Sequence, residues 1–202
     1  MHERWRDLAV AGHTGDVELA TAALLDPDPV ARELALGALE RLGELGDDHL
    51  HAALDDPVPA VRRRAAELAA KHPLVDLRIA LDDTDATVQE MAAWACGEQV
   101  DIPAPTFEAL VSLATASSVA LVREAAIAAL GAIGADAGLP AILAGCRDQP
   151  TVRRRAVLAL APFDGDEVEA AIAAALTDRD WQVRQAAEDL VRASHDPGHA
   201  TS

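Results

Sequence analysis

The stretches Asp26-Pro27-Asp28-Pro29-Val30-Ala31-Arg32, Asp56-Pro57-Val58-Pro59-Ala60-Val61-Arg62 and Asp83-Thr84-Asp85-Ala86-Thr87-Val88-Gln89 share one pattern. An acidic turn leads to an apolar residue, then to a polar one, then to an alanine-rich segment. The pattern returns as Ser117-Ser118-Val119-Ala120-Leu121-Val122-Arg123, Arg147-Asp148-Gln149-Pro150-Thr151-Val152-Arg153 and Asp178-Arg179-Asp180-Trp181-Gln182-Val183-Arg184. The aligned residues Ala31, Val61, Val88, Val122, Val152 and Val183 stand 30, 27, 34, 30 and 31 positions apart. Six copies at so regular an interval mark a repeat architecture.

Each repeat predicts two helices. The first ends in a leucine before the turn, at Leu24, Leu54, Leu81 and Leu176, with Leu113 and Leu143 shifted in the fourth and fifth repeats. The second begins near the aligned residue and places apolar side chains three and four apart, as in Val61, Ala65, Leu68 and Ala69, which makes one helical face. Pro29, Pro59 and Pro150 suit a first helical turn, where the missing N–H has no partner to lose. A single helical pair cannot bury its own apolar face, so neighbours must stack. Residues 2–12 predict an added N-terminal cap helix, and residues 194–202 a flexible tail. Between the third and fourth repeats, Gln99-Val100-Asp101-Ile102-Pro103-Ala104-Pro105 interrupts the helical pattern and predicts a seam of altered curvature. The reading is one domain over residues 1–193.

Composition agrees with closely packed helices. Of 202 residues 46 are alanine, five are aromatic and none is tyrosine. Half the chain is apolar, too much for disorder despite 34 acidic against 17 basic residues and a formal charge of −17. Such a charge opposes nucleic acid and anionic lipid unless the basic residues gather on one face. No apolar run is long enough to span a membrane, and the charged start, Met1-His2-Glu3-Arg4-Trp5-Arg6-Asp7, lacks a secretory apolar stretch. These features predict a cytoplasmic protein whose Cys96 and Cys146 are reduced core residues. Lys71 stands alone against sixteen arginines, a bias that with the alanine excess fits a GC-rich bacterial genome.

The repeat resembles the HEAT family, specifically the short HEAT-like type of phycobilisome lyases, with aspartate six positions before arginine. That spacing is kept at Asp26/Arg32, Asp56/Arg62 and Asp178/Arg184, and it degrades at Asp83/Gln89, Ser117/Arg123 and Arg147/Arg153. The resemblance spans about residues 16–192. It implies an all-α, right-handed α-solenoid of six helical hairpins, with the Asp and Arg bonding between neighbours as a structural ladder. It implies little about function, because sites are grafted onto such scaffolds.

Catalytic constellations are sparse. His2, His13, His49, His51, His72, His195 and His199 do not cluster, and His49 and His51 point about 160° apart on one helix. Neither a phosphate-binding glycine loop nor a Gly-x-Ser-x-Gly elbow occurs; Gly131, Gly134 and Gly138 read as helix-end glycines. Deoxyhypusine hydroxylase, a HEAT-like enzyme, holds two irons through repeated His-Glu pairs, whereas His2-Glu3 is the only such pair here. No catalytic, metal or cofactor site is therefore expected. The triplets Arg62-Arg63-Arg64 and Arg153-Arg154-Arg155 could seed a phosphate groove like that of the alkylation-repeat glycosylases. Glu67, four residues after Arg63, offers the alternative of local pairing.

In the family the second helices line a concave face, which makes their outward rows the candidate binding residues. Two residues past the aligned position stand Arg63, Glu90, Glu124 and Arg154; six past it stand Glu67, Trp94, Ala128 and Leu158. Helices about 10 Å apart would set Trp94, Ala128 and Leu158 in an apolar strip. Arg63 and Arg154 would steer acidic groups, and Glu67, Glu90 and Glu124 basic ones. Trp94 either projects into this groove or folds against the 99–105 segment. Trp5 reads as core of the cap helix and Trp181 as packing at a turn. The expected function is a non-catalytic protein–protein interaction scaffold that holds a peptide or partner protein. The alternatives are an enzyme or accessory of the phycobilin-lyase kind, and a DNA-binding alkylation-repeat-like protein.

Overall fold

The computed structural model describes residues 2–99 and 101–195, with side chains for residues 5–99 and 101–193. Thirteen α-helices and no strand occur among the described residues. The chain divides into two compact units, Met1–Thr106 and Phe107–Ser202.

The first unit holds α1 (His2–Thr14), α2 (Val17–Ala23), α3 (Pro29–Leu42), α4 (Asp47–Leu54), α5 (Pro59–Ala69), α6 (Arg78–Leu81) and α7 (Ala86–Glu98). The helices pair as α2/α3, α4/α5 and α6/α7, and the second members α3, α5 and α7 pack side by side. The cap helix α1 lies on α2 and α3, where Leu8 joins Ala23, Ala31 and Ala35 in a buried cluster. The Trp5 indole N–H donates to Asp28 Oδ2 at 2.8 Å, so this ring links the cap to the first turn. Local chemistry fixes the helix ends. Pro29 and Pro59 open α3 and α5, Asp28 and Asp85 cap α3 and α7 through the N–H groups of Val30 and Thr87, and Gly43 ends α3 at φ 73°. The third hairpin departs from the expected plan: α6 has four residues, where α4 has eight. Its shortness accounts for the 27-residue interval, and it leaves Leu74 and Ile79 exposed.

Helix α7 ends at Glu98, and α8 (Ala104–Ala116) begins with Pro105 in its first turn. The buried Gln99 amide donates to the carbonyl of Ala69 at 3.0 Å, and Thr106 Oγ1 donates to Asp76 Oδ1 at 2.6 Å. These bonds tie Gln99 to the end of α5 and Thr106 to the loop that follows it.

The second unit contains most of α8, then α9 (Ala120–Ile133), α10 (Leu139–Gly145), α11 (Pro150–Ala159), α12 (Asp166–Ala175) and α13 (Trp181–His195), with a 3₁₀ turn at Asp136–Gly138. Helices α9, α11 and α13 pack in sequence, with α10 against α9 and α11, and α12 against α13. Gly131 lies inside α9 rather than at its end. A Cβ there would stand 2.8 Å from Ala159 Cα, so α9 and α11 touch nearly backbone to backbone. Gly134 is the terminating glycine, at φ 67°. Helix α13 continues through residues 194 and 195, and the rest of the expected tail, residues 196–202, lies outside the described residues. Cys96 and Cys146 are free thiols, pushed by burial up to about 12 and about 11.

An arginine–aspartate ladder runs along the turns of each unit. Arg32 clasps Asp56 with Nε and Nη2, both at 2.7 Å, and its Nη1 donates to the Asp26 carbonyl at 2.7 Å. Arg62 repeats this with Asp83 and the Asp56 carbonyl, Arg123 with Asp148 and the Ser117 carbonyl, and Arg153 with Asp178 and the Asp148 carbonyl. The aspartates also accept turn N–H groups, from Val58, Asp85, Gln149 and Asp180. The fifth repeat, read as degraded at Arg147/Arg153, is intact: Asp148, one residue nearer, supplies the carboxylate. Where the units divide, the ladder positions are Gln89 and Ser117, neither of them charged.

The ladder sets the response to acid. Burial pushes the Asp56 and Asp83 carboxyls up, but their arginine partners and turn N–H groups outweigh it and hold both below the ordinary range. For Asp148 and Asp178 the arginine hydrogen bond is the leading influence and points the same way. A folded-state value below the unfolded one gives stability that is fully present above the unfolded value, about 3.9 for aspartate, and lost as pH falls through the folded values. Urea midpoints should therefore stay level from about pH 7 to 5 and decline steeply below about pH 4. A midpoint unchanged at pH 3 would contradict the ladder's role.

Candidate functional site

The outward row of α7 carries the most exposed large apolar side chain of the three stacked helices in the first unit. Trp94 is 45% exposed, while Ala92, Ala93, Ala95 and Cys96 around it are fully buried. The helix turns its alanine face inward and presents the indole to an open groove across α3, α5 and α7. Gly37, Glu40 and Arg41 of α3 line that groove with Arg64, Glu67 and Leu68 of α5, and Lys71, Trp94 and Glu98 complete it. Gly37 makes room on α3: a Cβ there would meet Arg64 Nη2 at 2.9 Å. Of the two placements open to Trp94 from sequence, the partly exposed one in the groove is observed.

Charges inside the groove are largely paired with one another. Arg64, not Arg63, holds Glu67 at 2.8 Å. Lys71 and His72 both reach Glu40, at 3.3 and 3.0 Å, and the other ring nitrogen of His72 lies 3.2 Å from Asp47. Burial pushes the Glu40 carboxyl up, but its hydrogen bonds to His72 and Lys71 together hold it below its ordinary value. His49, by contrast, accepts the Gly46 N–H at the start of α4 through Nδ1. Arg63 and Glu90 are half-buried, and no ion pair involves either among the described residues.

In the second unit Glu124 and Ala128 are half-buried on α9, and Arg154 is exposed on α11. Leu158 packs against Val157, Ala175, Val183, Ala186 and Ala187, so much of it serves the core of the last hairpin. Trp181, expected to pack, is 65% exposed at the first position of α13. Trp181 stands two residues before its aligned valine, where Pro29, Pro59 and Pro150 stand in other repeats and open their helices. The first residue of a helix has no preceding turn to lean on, and that was the available signal. Among the described residues no group of three His, Cys, Asp or Glu side chains is placed to hold a metal ion, and no helix is long and apolar enough to cross a membrane.

The hairpins, their ladder and their outward rows now stand beside known proteins. Residues 74–161 match the family model of HEAT repeats. Over those residues the chain is similar to HEAT repeats. Solved helical-repeat structures extend the likeness of fold over nearly all of the hairpins. An engineered protein matches with a TM-score of 0.64 and 20% identity, over 93% of this chain and 62% of its own. A designed armadillo repeat protein in complex with peptide (KR)4 matches with a TM-score of 0.59 and 18% identity, over 86% of this chain and 97% of its own. Human deoxyhypusine hydroxylase in complex with glycerol gives 0.48 and 22%, over 92% of this chain and 75% of its own. Identities this low carry the fold alone, and the last TM-score carries no argument. No curated protein matches the chain.

Proposed function

We propose that this HEAT-repeat chain is a non-catalytic interaction module. It holds a peptide, or an extended segment of a partner protein, in the groove across α3, α5 and α7. The observation that carries the reading is the 45% exposure of Trp94 within that groove, on a helix whose neighbouring residues are buried. Large aromatic side chains of this kind dominate binding energy at protein interfaces, because they bring much apolar area at little entropic cost. The scaffold suits the task, since stacked repeats present continuous surfaces made from equivalent positions. Glu67, Glu98 and Arg64 would form its polar rim. The aligned residues Glu124, Ala128 and Arg154 offer the corresponding surface of the second unit, where Leu158 is largely given to the core.

Panning a displayed random-peptide library on the wild-type protein, with counter-selection on Trp94→Ala, tests the reading. Peptides retained by the wild type and lost on the variant are the expected result. A library that yields no Trp94-dependent binder contradicts it. Duplex DNA should bind weakly even at low salt, because a −17 chain lacks the net phosphate neutralisation that drives such binding. Micromolar, steeply salt-dependent binding would favour a phosphate groove around the arginine triplets instead.

A further inference from the structure

On α7 the exposed indole does not stand alone. Glu90 precedes Trp94 by four residues and Glu98 follows it by four, so the three side chains form one row along the helix surface, about 6 Å apart at Cβ. Glu98 is exposed and Glu90 half-exposed, and neither makes a hydrogen bond or ion pair among the described residues. The groove's own cations do not reach them: Arg64 is engaged by Glu67, Lys71 by Glu40, and Arg41 turns to the Ala9 carbonyl. The surrounding charge has the same sign. Residues 1–106 carry 21 acidic against 9 basic side chains, a net −12 of the chain's −17.

An aromatic face flanked by two uncommitted carboxylates suits one ligand chemistry. A lysine ammonium or arginine guanidinium over the indole gains from the ring's negative face, for which tryptophan is the best side chain. The same cation is attracted by a carboxylate on either side, and a long methylene stem can lie along the ring. An acidic or phosphorylated segment would meet two like charges at the same place. We infer that the Glu90–Trp94–Glu98 row is a seat for a lysine or arginine side chain, and that the partner held in this groove is a basic peptide segment. The inference rests on the proposed interaction function and names the chemistry of its partner. Arg63 then acts against the ligand rather than steering acidic groups. It stands on α5 at the aligned position of Glu90, and like charge there weakens a basic segment's hold.

The test uses the full chain and three synthetic octapeptides with blocked ends: one of alternating lysine and arginine, one of glutamate, and one of glutamine with leucine. Binding is followed by calorimetry at two salt concentrations. The basic peptide should bind the wild type. Trp94→Ala should weaken it at least about thirtyfold and Trp94→Phe less. The pair Glu90→Gln/Glu98→Gln should weaken it about tenfold, and Arg63→Ala should tighten it. Asp164→Asn/Glu169→Gln, on exposed residues of the second unit, changes net charge equally and should shift affinity less than twofold. An equal loss in that control would show diffuse attraction to an acidic protein and overturn the seat. Trp94-dependent binding of the glutamate or glutamine–leucine peptide, with none of the basic one, would overturn the seat and leave the interaction function standing. Failure of all three peptides to show Trp94 dependence, beside Trp94-dependent binders from the library that lack basic residues, would likewise remove only the seat. If the library is also empty, both readings fall.

Discussion

Replacing Arg62 by alanine is expected to lower the unfolding free energy by about 3–5 kcal/mol, the range for stranding one partner of a buried ion pair. The side chain makes three charge-assisted bonds, to both Asp83 oxygens at 2.6 and 2.8 Å and to the Asp56 carbonyl at 2.8 Å. The paired side chains are only 15% and 7% exposed, so water cannot replace the lost donors. The Asp83 carboxylate would remain in place, still accepting the Asp85 N–H, with its charge uncompensated. Asp83→Asn in the Arg62→Ala background should recover part of the loss, because the amide keeps that acceptor and removes the charge. Arg192→Ala serves as the comparison. Its pair with Asp189 is 71% and 51% exposed and should contribute less than about 1 kcal/mol. Urea unfolding of the wild type and the three variants checks the expectation. An Arg62→Ala loss no larger than that of Arg192→Ala would reduce the ladder to surface decoration.

The ladder also shows where sequence reasoning reached and where it stopped. Arginine one residue past the aligned position is visible in five of six repeats, because the second helix starts at a fixed point relative to its core stripe. The aspartate is harder to place, since it sits in a turn whose length varies. Asp148 serves as the rung although it stands five rather than six residues before Arg153. The helices themselves were legible for a similar reason: proline at a first turn and a leucine before each turn are local signals. The four-residue α6 was not foreseen, because apolar Leu74, Leu77 and Ile79 keep a helix-like composition while Pro73 and a tight turn consume the length. The 27-residue interval was the clue to it.

The site was legible in part, and the reason lies in side-chain direction. Counting six residues past Val88 puts Trp94 on the outward row, and backbone periodicity alone settles that. Ion-pair choice is a different matter. Arg63 and Arg64 are neighbours in sequence, and only the approach of α5 to α3, with Arg64 lying over Gly37, gives Glu67 to Arg64. Leu158 shares Trp94's row, yet it is drawn toward Val183 and Ala187 of the last hairpin. Equal register does not give equal exposure where the next helix is near enough to cover the side chain.

Trp94→Ala is expected to divide its cost unequally between binding and folding. Loss of a central aromatic anchor should weaken a groove-bound peptide by at least about 2 kcal/mol, roughly thirtyfold. Stability should fall by about 1–2 kcal/mol, since close to half of the indole already meets water in the free protein. A tryptophan that existed to fill the core would show the reverse partition. Its truncation would cost about 3–5 kcal/mol of stability through the cavity left behind, and would change affinity only as far as the fold loosened. Calorimetric affinity for a library-selected peptide and urea unfolding of the same two proteins supply both numbers. Fluorescence gives an independent reading once Trp5→Phe and Trp181→Phe leave Trp94 as the sole emitter. Its emission in the free protein should lie toward the red and be open to iodide or acrylamide, then move to the blue and become protected as peptide is added. A blue, quencher-protected emission before any ligand, together with a large stability loss, would return Trp94 to the core and remove the groove from consideration.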